Sequence, residues 1–304
     1  STHTLTLNPG YDDVTLKSTA YPSDVRTIIA SDVSVTATGG VYIQGNSQAN
    51  NVFGSAGDDT IYGAAGNDSL FGYGGSDILL GEAGDDTLEG GEGSNTMTGG
   101  AGSDVFVHNL SANANDLVTD YAPGVDKINL NGGRVLSSSV NGSDVIINVG
   151  DDDAAAGAIT ITGGKDKTIT VEETVNGTAY TTEGIFGYYS YERADGSNKI
   201  NSVTLNAEVS GTITSDKFAS TVATIDATAV TEDVVIYGNA IANTIIGSTK
   251  NSAETIFAGD GNDYVEATNA DEVISGDAGN DTIITVNAIV ILDDLCVLLA
   301  YCLL

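Results

Sequence analysis

From Asp59 to Asp104 a carboxylate or amide side chain recurs at every ninth residue: Asp59, Asp68, Asp77, Asp86, Asn95 and Asp104. Oxygen donors at a fixed interval are the material of a hard-cation site, since such ions gather about six to eight oxygens from carboxylates and main-chain carbonyls. The residues between them repeat too. Residues 54–107 read GSAGDDTIY, GAAGNDSLF, GYGGSDILL, GEAGDDTLE, GGEGSNTMT and GGAGSDVFV without a gap. Glycine holds the first place of each unit (Gly54, Gly63, Gly72, Gly81, Gly90, Gly99) and the fourth (Gly57, Gly66, Gly75, Gly84, Gly93, Gly102). With 38 glycines in 304 residues, twelve of twelve by chance has a probability of about 10⁻¹¹. The eighth place is always apolar: Ile61, Leu70, Leu79, Leu88, Met97 and Phe106.

Nine residues accommodate a six-residue turn and a three-residue strand. Two units then make one coil of a flattened parallel roll, its coils stacked about 4.8 Å apart by strand hydrogen bonding. Eighth-place side chains point inward as a thin core, and glycines at places one and four are expected to take positive φ and leave carbonyls uncovered. Bare carboxylates stacked at that spacing would repel. A hard dication removes the conflict, and Ca²⁺ suits a carbonyl-plus-carboxylate shell better than Mg²⁺, which keeps its waters in a tighter octahedron. Soft metals want thiolate or imidazole, absent from 54–107.

The pattern resembles the RTX calcium-binding nonapeptide family, GGxGxDxUx, closely over 54–107 and loosely over 258–284. The resemblance implies a parallel β-roll, several Ca²⁺ ions, calcium-driven folding and secretion from the cell. DLVTDYAPGVDKINL (116–130) resembles the segment that closes such rolls. One departure is that place two is glycine only at Gly91 and Gly100, so Ser55, Ala64, Tyr73 and Glu82 must tolerate the turn.

Turns on one edge of the roll are eighteen residues apart. One edge carries Asp59, Asp77 and Asn95; the other carries Asn50, Asp68, Asp86 and Asp104. Calcium sites are expected between Asp59 and Asp77, Asp68 and Asp86, and Asp86 and Asp104, with a weaker one between Asp77 and the neutral Asn95. Flanking units share the period. GNSQANNVF (45–53) precedes the array, and GNAIANTII (238–246), an eleven-residue GSTKNSAETIF, then AGDGNDYVE, ATNADEVIS and GDAGNDTII follow to Ile284. There Asp263 and Asp281 form the matching pair, while Glu254 and Glu272 are a methylene too long for a close copy.

A larger duplication frames these arrays. TLTLN (4–8) matches SVTLN (202–206), RTIIASDV (26–33) matches ATIDATAV (223–230), and VYIQGN (41–46) matches VIYGN (235–239). Alternating β-branched runs such as KINL, VIINV, AITIT and KTITVEET fill 108–200, with Asn176-Gly177 as a tight hairpin turn. The expected fold is all-β: a calcium-binding parallel roll flanked by small β-rich regions, in two tandem modules of which the second is truncated. Its parts are a β-rich lead-in (1–44), the first roll (45–107), a capping β-rich region (108–200), a second lead-in (201–237), a degenerate second roll (238–284) and an apolar tail (285–304).

Ten Lys+Arg against forty-two Asp+Glu give a net charge of −32, which excludes nucleic acid and anionic lipid as direct partners. Two histidines exclude a three-histidine or HExxH site, and no GxSxG, P-loop or GxGxxG occurs; the chain reads as non-catalytic. Asp116, Asp120 and Asp126 read as solvated turn residues, with a terminal calcium as the alternative, and His108 as a capping or surface side chain. Tyr188, Tyr189 and Tyr191 read as a half-buried strand face or a sugar- or partner-binding patch, and Asp151–Asp153 as a solvated loop. The tail Leu295–Leu304 is too short to span a bilayer, and reads as a buried edge, an interaction tail, part of a C-terminal export signal or the product of truncation or an altered reading frame; Cys296 and Cys302 read as incidental. No signal-peptide pattern follows Ser1, so the chain reads as processed, excised or exported by another route, type I-like export among them. The function expected is a structural calcium-binding module of a secreted or surface bacterial protein, adhesin- or surface-layer-like, with like modules, surface components or glycans as further partners. The alternatives are the accessory region of a secreted protease, lipase or polysaccharide-modifying enzyme, or a carbohydrate-binding module.

Overall fold

The computed structural model describes residues 3–7, 15–20, 22–30, 39–110, 114–150, 155–165, 167–175, 178–186, 189–193, 200–205, 207, 209, 211–213, 222–250, 253–267, 269, 272–285, 289–291 and 297–300. Its secondary structure there is strand, turn and a single 3₁₀ turn at Ser18–Ala20. No helix among the described residues is long and apolar enough to cross a membrane. Two units form, one of residues 1–136 with 140–186 and one of 137–139 with 187–304.

In the first unit the nine-residue period becomes alternation between two sheets. The strands Asn51–Phe53, Ser69–Tyr73, Thr87–Gly91 and Val105–Asn109 lie side by side in one, and Thr60–Ala65, Ile78–Ala83 and Thr96–Ala101 in the other. Every neighbour pair is parallel and eighteen residues apart, as in Ile61↔Leu79 and Leu70↔Leu88. Side chains alternate in and out along each strand, so one apolar residue per unit suffices for the core: Ile61, Leu70, Leu79, Leu88, Met97 and Phe106 are all 0% exposed. Val25–Ile29 and Tyr42–Gln44 begin the same alternation, and Ala114–Val118 and Lys127–Asn131 continue it. Beyond them the parallel order gives way to antiparallel pairs. Thr168–Val175 pairs with Thr178–Ile185, closing at Val175↔Thr178 on either side of Asn176 and Gly177, which lie outside the described residues.

The second unit repeats this plan. Ile200–Leu205, Thr224–Asp226, Thr244–Ile246, Tyr264–Ala267, Thr282–Thr285 and Val297–Ala300 stack in parallel on one side. Gly211–Ile213, Val234–Tyr237, Glu254–Phe257, Val273–Ser275 and Ile289–Ile291 do so on the other. The duplicated segments take corresponding strands: Leu5↔Ile28 in the first unit has its counterpart in Val203↔Ile225. Of the apolar tail, Val297–Ala300 forms a further strand, and Cys296 and Cys302 lie outside the described residues. So do Tyr188 and Asp151–Asp153, while Tyr189 and Tyr191 belong to the strand Tyr189–Arg193.

Candidate metal centre

The two glycine places have different reasons to be glycine, which corrects the expectation of positive φ at both. Place four bends into the left-handed region at Gly66, Gly75, Gly84, Gly93 and Gly102. Place two does so as well, even without glycine: φ is +85° at Ala64, +78° at Tyr73 and +72° at Glu82. None of the place-one glycines has positive φ. Place one excludes a side chain because of oxygen: a Cβ on Gly63 would stand 2.5 Å from Asp68 Oδ2 and 2.8 Å from the Gly81 carbonyl of the next coil. The same pair of oxygens faces Gly54 (Asp59, Gly72), Gly72 (Asp77, Gly90) and Gly81 (Asp86, Gly99). Each turn thus holds a small cradle between its own sixth-place carboxylate and a carbonyl one coil further on.

The carboxylates divide their oxygens. Oδ1 accepts the main-chain N–H of its counterpart in the preceding coil: Asp59 N–H to Asp77 at 2.8 Å, Asp68 to Asp86 at 2.7 Å and Asp86 to Asp104 at 2.9 Å. Oδ2 of Asp68, Asp77, Asp86 and Asp104 is buried with no hydrogen-bond partner. Asn95 keeps the first bond, accepting the Asp77 N–H at 2.9 Å, but brings no second anionic oxygen. Asp59 is closed: Ser55 donates its N–H at 2.6 Å and its hydroxyl at 2.8 Å, and Val41 its N–H at 2.7 Å.

Leaving an anionic oxygen buried and unpaired is costly unless a cation or proton answers it. Burial pushes the Asp68 carboxyl up to about 7 and that of Asp77 to about 8, against the lowering effect of their backbone hydrogen bonds and with added repulsion from Asp86 and Asp59 respectively. Asp104 rises to about 6, and Asp59 and Asp86 rise for the same first cause, desolvation.

The second unit has the same construction with longer acids. Asn243 N–H donates to Asp263 Oδ1 at 2.7 Å and Asp263 N–H to Asp281 Oδ1 at 2.9 Å, while Asp263 Oδ2 has no partner. Glu254 and Glu272, 1% and 0% exposed, stand on the opposite edge, at the strands Glu254–Phe257 and Val273–Ser275. The extra methylene lets Glu254 reach the Ser248 N–H with both oxygens at 2.9 Å. Desolvation raises Asp263, Glu254 and Glu272 to about 7 each.

Three residues read from sequence as solvent-facing are buried instead. Asp116 and Asp126 are 2% and 3% exposed and extend the two columns. Asp116 accepts the Asn95 N–H at 3.1 Å, and Asp126 the Asp104 N–H at 3.0 Å. Their spacings of 21 and 22 residues, from longer turns, fall outside the eighteen-residue period. His108, 1% exposed, places Nδ1 2.7 Å from Asp116 Oδ2. Asp120 is exposed and accepts the N–H groups of Gly99 and Gly100 at 2.9 and 2.8 Å.

Among the described residues no three His, Cys, Asp or Glu side chains converge on one point. The donors on offer are pairs of carboxylates from successive coils with main-chain carbonyls between them, an all-oxygen set that fits Ca²⁺. Orphaned Oδ2 atoms beside side-chain-free cradles meet that requirement at Asp68, Asp77, Asp86 and Asp104.

A parallel β-roll with carboxylate-lined, glycine-cornered turns defines the class. The family model for the RTX calcium-binding nonapeptide repeat (4 copies) matches residues 44–79, 71–106 and 250–283, so the chain carries RTX repeats in both units. Among solved structures it is similar to the AlgE6R3 subunit of the Azotobacter vinelandii mannuronan C5-epimerase, at 22% identity over 43% of this chain and 74% of that one, with a TM-score of 0.20. It is also similar to the extracellular lipase LipA of Serratia marcescens, at 16% identity over 79% of this chain and 32% of that one, TM-score 0.19. No curated protein matches the chain.

Proposed function

We propose that this chain is a non-catalytic, calcium-folded structural module of a secreted or cell-surface bacterial protein, adhesin- or surface-layer-like. The supporting observation is the row of buried, unpartnered Oδ2 atoms on Asp68, Asp77, Asp86 and Asp104. Calcium would be held by Asp68, Asp77, Asp86 and Asp104, more weakly at Asn95 and at Asp59, whose oxygens Ser55 and Val41 already answer, and by Asp263 and Asp281 in the second unit, with place-one carbonyls completing the shells. Without the ion, a chain of net charge −32 repels itself, and one buried apolar residue per nine is a thin core to hold it. An expanded, metal-free chain suits passage through a narrow export channel from a calcium-poor cytosol. Extracellular sites of about 10⁻⁴–10⁻³ M affinity then make ion binding and folding one event. The repeated strand plan of the two units favours a reach-extending array over an active site.

Circular dichroism during a calcium titration tests this, on the whole chain and on Asp68→Ala and Asp86→Ala. The wild type should gain β-structure cooperatively between about 0.1 and 10 mM calcium, with both variants shifted to higher calcium. A spectrum identical in chelator and at about 10 mM calcium would refute it.

A further inference from the structure

Two departures from the repeat pattern meet at one carboxylate. Asn95 replaces the sixth-place Asp, and His108 stands nine residues after Gly99, where a seventh unit would open with glycine. The pairing of Val107 with Glu89 sets His108 level with Gly90 of the preceding coil. Place one is where a side chain grows directly into the cradle, as the Cβ position at Gly63 shows. At His108 one does. Its Nδ1 lies 2.7 Å from Asp116 Oδ2, and because an ionised carboxylate only accepts, Nδ1 carries the proton. Asp116 Oδ1 accepts from Asn95 twice, from the main-chain N–H at 3.1 Å and from Nδ2 at 2.9 Å. Both oxygens of Asp116 are therefore answered by protein donors, whereas Asp77 Oδ2 on the same edge is not. The next strand leaves room for the ring: a Cβ on Gly157 would come within 3.2 Å of His108 Nε2.

We infer that His108 is a plug. Its imidazole fills the last cradle of the Asp59 edge, and the N–H groups of His108 and Asn95 stand at Asp116 where a cation would otherwise be needed. The metal column on this edge stops before Asp116, and the strands Ala114–Val118 and Ala155–Ile161 are joined without an ion. This rests on the reading of the open carboxylate oxygens as calcium ligands. The plug also accounts for Asn95: a second carboxylate facing Asp116, with the cradle already filled, would have nothing to bridge it.

The test is calcium stoichiometry of the full chain by native mass spectrometry and calorimetry. At calcium concentrations that fill the weak Asp77–Asn95 site in the wild type, Asn95→Asp alone should bind no more calcium than the wild type, because the ring still occupies the cradle at Asp116. Asn95→Asp with His108→Gly restores the repeat pattern and should bind one additional ion per chain. An extra ion in the single variant, or none in a folded double variant, overturns the plug. Should the double variant fail to fold, anomalous scattering from wild-type crystals grown in calcium decides. Peaks beside Asp68, Asp77 and Asp86 with none within about 3 Å of Asp116 support the plug, and a peak at Asp116 overturns it. A wild type that folds yet binds no calcium overturns the calcium reading itself, a result distinct from a wild type that binds calcium at Asp116.

Discussion

Replacing Asp86 by Asn should change the sign of its effect with calcium. Asp86 faces both neighbouring coils: Oδ1 accepts the Asp68 N–H at 2.7 Å, and Oδ2 lies unpartnered beside the Gly99 carbonyl. Asn95 shows that an amide in this place keeps the first bond, accepting the Asp77 N–H at 2.9 Å. The substitution therefore removes a buried charge and leaves the ladder intact. In chelator, Asp86→Asn should be at least as folded as the wild type, because burial and Asp85 both disfavour its charged carboxyl. In calcium the same change weakens the two sites that share Asp86. Each site contributes about 2.7 kcal/mol when the ion is at a hundred times its dissociation constant, so their loss costs about 5 kcal/mol. At a urea slope of about 2–3 kcal/mol/M the unfolding midpoint in 10 mM calcium falls by roughly 2 M. Asp86→Ala, which also strips the acceptor from the Asp68 N–H, should lose about 1–3 kcal/mol more in calcium. Circular dichroism in chelator and urea unfolding in calcium measure all four cases. Equal destabilisation of Asp86→Asn in both conditions would show that Asp86 acts through packing rather than through charge bridging.

Gly63→Ala removes no oxygen but puts a methyl 2.5 Å from Asp68 Oδ2 and 2.8 Å from the Gly81 carbonyl. It should abolish most of the calcium-dependent gain in melting temperature. Gly142→Ala, at φ +66° with nothing within 4 Å, should cost about 1–2 kcal/mol irrespective of calcium; similar calcium dependence for the two in calorimetric scans would count against the cradle. The metal-free chain should respond to pH in the direction set by raised carboxyls. Asp68, Asp77 and Asp263 titrate at about 7, 8 and 7 when folded and near 3.8 when unfolded, so the folded state binds more protons between those values. The contribution of these three groups to its stability is full below about pH 4 and is lost as pH rises through about 7–8. In chelator the hydrodynamic radius should grow from pH 5.5 to 8.5, whereas calcium affinity should rise over the same span because the ligands must be deprotonated. Compaction of the metal-free chain with rising pH would contradict the burial of those groups.

Much of this molecule is written locally. Gly, Asp and an apolar residue recurring within each nine residues prescribe turn, oxygen and core before any partner strand is known, because a turn's conformation and a strand's two faces depend only on neighbours in the chain. The all-β parallel roll, its inward Ile61–Phe106 series and the eighteen-residue columns followed from that period. What sequence periodicity did not reveal depends on which coils lie against each other. Hydrogen bonding between strands fixes the stacking distance, while the turn between them can lengthen at will, so Asp116 and Asp126 join the columns at spacings of 21 and 22 residues. The same packing decided which carboxylate oxygens stay open and which are closed by Ser55 or His108. It also decided that place-one glycines are required by a neighbouring coil's carbonyl rather than by their own φ. Those are contacts between residues distant in the chain, and only the folded stack brings them into existence.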